Sequence, residues 1–329
     1  IMFMTSMVTG TLIAISSNSW MTMWIGLEIN LLSIIPLMSN IKNKMESEAA
    51  MKYFITQAMA STVFMLAIII MLSNNEMLVS SKTPSMIMDS AILTKTGAAP
   101  FHFWFPEVME GLSWINSMIM LTWQKIAPMA IFTYSIKYPI FTVTVILTSM
   151  IISGLMGINQ TSMRKIMAYS SINHIGWMIG AMMTNQTLWL IYFLVYSMMT
   201  INTTLMFKMM NISFTNQLIN SMNQNKTIKT LFSLNFLSLG GIPPFIGFFP
   251  KWITINSMIQ ENMYMLTTMM ILLTLMTLVF YMRITFMSGI MTSSEPISIN
   301  QTQNYNKIII INFLGLSLLT ACPLLTTFI

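Results

Sequence analysis

Lys95-Thr96-Gly97-Ala98-Ala99-Pro100-Phe101-His102-Phe103-Trp104-Phe105-Pro106 is the stretch that decides how this chain folds. It lies in a run, residues 85–105, that is otherwise apolar enough to cross a bilayer. Yet it holds a lysine, a glycine, a proline and a histidine. A lysine at the centre of a span costs about 2.5–3.5 kcal/mol on insertion scales. Pro100 removes a backbone donor and frees carbonyls one turn upstream. Irregular backbone at membrane depth survives only when buried in protein or lining a wet cavity. The stretch therefore predicts a helix broken beside a charge, a common form of ion site in transporters.

A second copy of the pattern follows. Pro100 to Pro106 reads P-F-x-x-x-F-P, and so does Pro244-Phe245-Ile246-Gly247-Phe248-Phe249-Pro250, preceded by Gly240-Gly241 and followed by Lys251. Two interrupted apolar segments of the same spacing, each near a lone lysine, point to an internal structural repeat and mark the transport site.

The composition agrees. The 329 residues are 55% hydrophobic and 7% charged, against about 25% charged in a soluble domain. This is an all-α polytopic membrane protein, and its net charge of +6 belongs to loops rather than to a nucleic-acid surface. A single cysteine, Cys322, leaves no intrachain disulfide framework or cysteine metal site, and two histidines exclude a multi-histidine one. No dinucleotide fingerprint, P-loop or haem ligand pair is present, so redox chemistry by this chain alone is not expected. Forty methionines and an Ile1 start suggest a code in which an isoleucine codon reads as methionine, hence a mitochondrial gene. No cleavable signal or Arg-rich transit peptide is expected at the start.

Apolar runs of about 20 residues span a bilayer. About eleven are expected here: 2–17, 20–39, 49–73, 85–105 (broken), 113–137, 139–157, 163–184, 187–210, 229–260 (broken), 262–287 and 307–328. The stretches 211–228 and 288–306 read as polar surface connections. Equating the two broken helices, near 95–106 and 239–251, gives two five-helix repeats, 1–138 and 139–287, and a remainder, 288–329, with one further helix. An odd number of helices per repeat makes the second inverted. Lys42, Lys44, Lys52, Arg164, Lys165, Lys208, Lys226, Lys229 and Lys307 fall on one side, with little beyond Lys82 and Lys137 on the other. The positive-inside rule then places the N-terminus in the matrix and the C-terminus outside.

Four ionisable residues lie well inside expected spans: Glu28, Lys95, Lys125 and Lys251. Together they cost on the order of 10 kcal/mol, which rivals the net stability of a whole domain. A buried lysine can be brought to where it gains and loses a proton near neutrality, and a nearby glutamate opposes the loss. Opening and closing a Glu–Lys contact would thus load and unload protons without a metal; a structural Glu28–Lys95 lock is the alternative. His102 beside the break is either a proton relay or a helix-end hydrogen bond. Tyr169, Ser170, Ser171 and His174 share one span, with both serines on the histidine's face. They read as relay steps or as polar contacts between helices.

These residues resemble a known family. Trp24–Leu32 (WIGLEINLL), Lys95–Pro106 (KTGAAPFHFWFP), Trp123–Pro128 (WQKIAP), Ser170–Trp177 (SSINHIGW) and Asn235–Trp252 (NFLSLGGIPPFIGFFPKW) are similar to the antiporter-like membrane subunits of mitochondrial NADH:ubiquinone oxidoreductase, respiratory complex I. The likeness runs essentially end to end. It implies a proton path driven by electron transfer elsewhere in a complex, with NADH, flavin, iron–sulfur clusters and ubiquinone held by other subunits. Glu28 would be the glutamate paired with Lys95, Lys125 the connecting lysine, and Lys251 the lysine facing the exit. Neighbouring antiporter-like subunits and lipids would be the partners, and the mitochondrial inner membrane the location. Animal members are similar in lacking three N-terminal helices of the bacterial form. A free-standing cation/proton antiporter, and a structural subunit whose charges merely hold helices together, are the other readings.

Overall fold

The computed structural model describes residues 2–40, 43–73, 82–136, 138–222, 226–243 and 245–290. The expected final span at 307–328, the connection from 291 to 306, Pro244 of the second motif, and Lys42, Lys137 and Lys307 lie outside those residues. The described chain is a succession of helices, with one isolated extended pairing, Ser162 with Phe214. It divides into two compact units, residues 1–149 and 150–329.

The first unit contains α1 (Met2–Ser16), α2 (Trp20–Met38), α3 (Lys44–Ser73), α4 (Lys82–Thr96), α5 (Trp104–Gly111), α6 (Trp114–Leu121), α7 (Trp123–Ser135) and the first half of α8 (Pro139–Ile158). The second holds the rest of α8, then α9 (Met163–Thr184), α10 (Gln186–Met210), α11 (Thr215–Met222), α12 (Lys226–Gly240), α13 (Phe248–Gln260) and α14 (Tyr264–Ile290). Helices α2, α3, α8, α10 and α14 are long and apolar enough to cross a membrane.

In the first unit α2 starts on Ser19, whose hydroxyl accepts from the Thr22 N–H at 3.3 Å. It buries Met23, Leu27, Leu31, Ile34 and Met38, a stripe at helical spacing. The flank of that stripe meets α1 so closely that only glycine fits: a Cβ on Gly26 would lie 2.6 Å from the Ala14 backbone nitrogen. Helix α3 buries Ala49, Tyr53, Ala60, Phe64 and Ala67 against α2, α4 and α5. It leaves Met51, Ile55, Met59, Leu66 and Ile69 exposed, as a lipid-facing side requires. Helix α4 packs between α3 and α7.

In the second unit α9 is buried on almost every side, against α10, α13 and α14. A helix so enclosed can carry polar groups at depth. Phe207, Phe232, Phe236 and Tyr281 form an aromatic cluster between α10, α12 and α14, with ring centroids 4.7–6.2 Å apart.

Two local expectations need correction. The stretch 113–137 is not one helix but two, α6 and α7, interrupted at Thr122. The Thr122 hydroxyl donates to the Met118 carbonyl at 2.8 Å, and the Lys125 N–H turns back to Thr122 at 3.3 Å. Pro128 further removes a donor from the next turn. The stretch 211–228 is not only a connection: it contains α11, which packs on α12 and α14. Gln217 starts that helix by accepting from the Ser213 and Phe214 N–H groups at 2.8 and 3.3 Å, a side chain reaching back to the cap.

Candidate functional site

The break between α4 and α5 follows from its residues. Gly97 takes φ +77°, a conformation that a Cβ penalises, and ends α4. The Gly97 and Ala98 N–H groups both return to the Leu93 carbonyl at 3.1 Å. The Ala99–Pro100 bond is cis. Carbonyls freed by the interruption find side-chain donors. Thr148 of α8 donates to Ala99 at 3.2 Å, and the Trp104 indole to Thr94 at 3.1 Å. Backbone polar groups at depth need such partners. His102 is buried; its Nδ1 lies 3.3 Å from the Pro100 carbonyl, and its ring rests on Phe103. Of its two expected roles, the contact seen is the hydrogen bond within the turn.

The break between α12 and α13 repeats the backbone hydrogen bonds of this turn. Gly241 has φ +76°, its N–H returns to Leu237 at 3.1 Å, and that of Ile242 to Leu237 at 3.3 Å. Phe101 N–H to Ala98 is matched by Phe245 N–H to Ile242, both 2.9 Å. Phe105 N–H to His102 is matched by Phe249 N–H to Ile246. The interval along the chain is the same for every pair, and it carries α4 onto α12 residue for residue. The charges do not follow it. Leu239 stands where Lys95 does, and Glu107 where Lys251 does. One lysine sits upstream of its turn, the other downstream.

Each lysine has a distinct setting. Lys251 is buried, and its ammonium donates to the Gly240 carbonyl at 2.9 Å, at the negative end of α12. Lys95 is buried in the last turn of α4. Glu28 is half-buried on α2, and no ion pair joins it to Lys95 among the described residues. Lys125, 1% exposed, places its ammonium 5.6 Å from the centre of the Phe105 ring in the first broken segment. Glu28, Lys95 and Lys125 are thus carried on α2, α4 and α7, three helices of one unit that pack together. Lys52, near the start of α3, instead bridges Glu48 and Glu107 at 3.2 and 3.1 Å, where all three are exposed.

Tyr169, Ser170, Ser171 and His174 are all buried on α9. His174 Nδ1 lies 3.0 Å from the Tyr192 hydroxyl, and its ring is 5.0 Å from that of Tyr196. The serine hydroxyls donate to carbonyls of their own helix, Met167 and Ala168. Asn173 donates to Thr277 of α14 at 3.3 Å. Sequence reasoning missed Asn30, Tyr53, Gln57, Asp89 and Gln124, all buried in the first unit. Two of them carried a readable signal: Asn30 follows Glu28 by two positions, and Gln124 precedes Lys125. The first unit thus holds Lys95, Lys125 and Asp89 buried and Glu28 half-buried, among neutral polar side chains.

A family model described as NADH:quinone oxidoreductase/Mrp antiporter, transmembrane, matches residues 17–277. The chain belongs to that family. Its relatives include a protein of Anopheles gambiae called NADH-ubiquinone oxidoreductase chain 2, 50% identical over 81% of this chain and 79% of that one. The protein of the same name from Locusta migratoria is 44% identical over 90% of this chain and 86% of its own length. Among solved structures, a chain of respiratory complex I from Thermus thermophilus superposes with a TM-score of 0.83 at 21% identity, over 96% of this chain and 76% of that one. A chain of the Mrp complex from Dietzia sp. gives 0.73 at 16% identity, over 85% and 58%. These two share the antiporter-family fold.

Proposed function

We propose that this chain works as a core membrane-arm subunit of respiratory NADH:ubiquinone oxidoreductase and moves protons along Glu28, Lys95, Lys125 and Lys251. The observation that carries the reading is the burial of three lysines inside a membrane fold, two of them flanking matched helix breaks. Retaining such groups is costly unless they act. The insect relatives, which carry the complex's name, support the setting. Lys95 exchanges a proton under the influence of Glu28, Lys125 connects, and Lys251 faces the exit. His102, Tyr169, Ser170, Ser171 and His174 support the path. NADH oxidation, flavin, iron–sulfur and quinone chemistry belong to other subunits.

The equal interval between the two breaks supports a pair of five-helix repeats, 1–138 and 139–287, the second inverted in the membrane, with 288–329 as an added segment. The lysine-rich connections place the N-terminus in the matrix of the mitochondrion and the C-terminus in the intermembrane space. Neighbouring antiporter-like subunits and lipids cover the apolar faces.

The test is a native gel of mildly solubilised source membranes, stained for NADH dehydrogenase activity, with mass spectrometry to locate the chain. Co-migration with a very large NADH-oxidising band is expected. Migration alone or with a few small partners would transfer the reading to a free-standing antiporter.

A further inference from the structure

The proton path leaves unused a buried chain of neutral polar side chains in the first unit. The Gln124 amide on α7 donates from Nε2 to Asn30 Oδ1 on α2 at 2.9 Å. Its Oε1 accepts from the Tyr53 hydroxyl on α3 at 3.3 Å. All three residues are buried, so one amide, engaged at both ends, links three helices. Its neighbours in sequence are the charged groups themselves: Gln124 precedes Lys125, and Asn30 lies two positions from Glu28. The chain also reaches α4. The Tyr53 ring packs 5.7 Å from that of Trp104, whose indole holds the Thr94 carbonyl, one residue before Lys95. One turn along α3, Gln57 donates to the Lys95 carbonyl at 3.5 Å.

We propose that Gln124, acting with Tyr53 and Asn30, is a positioning residue that fixes the separation of Glu28, Lys95 and Lys125. The proposal rests on the proton-path reading above. Its physical ground is that polar contacts between membrane helices are individually weak, about 0.6–2 kcal/mol, whereas transfer between fixed groups is sensitive to displacements of about 1 Å. The amide's two ends are chemically different, donor towards α2 and acceptor towards α3, so the arrangement sets register as well as contact. An apolar side chain of equal volume would keep the packing and lose the register.

The test uses the assembled complex in its own membranes, with protons moved per electron as the readout, since a residue that only holds helices together would leave that ratio unchanged. Gln124→Met keeps volume and removes both bonds. Tyr53→Phe removes one oxygen, keeps the ring against Trp104, and decides the matter alone if Gln124→Met does not assemble. Lys125→Met is the control. Both variants are expected to oxidise NADH with a reduced ratio, and the double variant to fall no lower than Gln124→Met alone. A wild-type ratio in both, beside a reduced one in Lys125→Met, would overturn the positioning role and leave the proton path standing. Independent, multiplying losses in the double variant would likewise overturn it. A wild-type ratio in Lys125→Met would remove the proton path itself and the proposal with it.

Discussion

Glu28 and Lys95 belong to one unit but form no ion pair: no nitrogen–oxygen approach within 4.0 Å joins them, and Glu28 Oε1 is buried with no hydrogen-bond partner among the described residues. A closed pair would hold its proton. A pair held apart in a low-dielectric interior still feels each other's charge strongly, and the coupling can change with small movements. Glu28→Gln keeps shape and removes the charge. The expected outcome is assembly close to normal with slower NADH-driven pumping. Comparing proton uptake by vesicles with the amount of complex on a native gel checks it, and normal pumping would remove Glu28 from the path.

Lys125 is 1% exposed, with its ammonium 5.6 Å from the centre of the Phe105 ring. Lys125→Met keeps the length of the side chain and removes its charge. The complex is expected to assemble while protons moved per electron, measured in its own membranes, drop. A variant that failed to assemble would instead make Lys125 a structural residue.

The glycines at the two breaks should differ in their effect. Both have positive φ, so alanine costs about 1–2 kcal/mol of backbone strain at either. At Gly97 the added methyl would meet the Phe105 ring at 3.3 Å. At Gly241 it would lie 2.8 Å from the Lys251 ammonium nitrogen and displace it from Gly240. Gly241→Ala is expected to lower proton flux more than Gly97→Ala does, measured per assembled complex. Equal losses would mean that strain alone is felt.

Gly26→Ala tests the fold rather than the path. Its methyl would press on the backbone of Ala14, which cannot yield as a side chain can. Overpacking of this kind costs about 1–3 kcal/mol or more, and the amount of chain in the large native band should fall. Gly180→Ala is the milder comparison, because its methyl would meet the flexible end of Met270, its Cε, at 3.1 Å.

The two breaks were readable because glycine and proline have few uses inside a span, and the buried lysines because charge there is expensive. The interruption at Thr122 was not readable. It contains neither glycine nor proline, and it depends on a hydroxyl turning back to Met118. Helix α11 was hidden by its polar composition; its order comes from Gln217 and from burial of Leu218, which only the tertiary packing supplies. The serines before His174 lie on the expected helix face; their hydroxyls donate to Met167 and Ala168, and they also engage the Tyr281 and Tyr196 hydroxyls of α14 and α10. Spacing fixes a face and not the partner. The Asn30–Gln124–Tyr53 chain joins residues far apart in sequence, and no local pattern announces such a pairing.

The matching backbone hydrogen bonds around Gly97 and Gly241 separate the turn from the charge beside it. The same turn accepts a cation just before it in one copy and just after it in the other, with leucine and glutamate in the vacated places. The turn is therefore indifferent to the side on which charge is mounted. Its geometry is a common chassis, and the flank that bears the lysine is chosen separately.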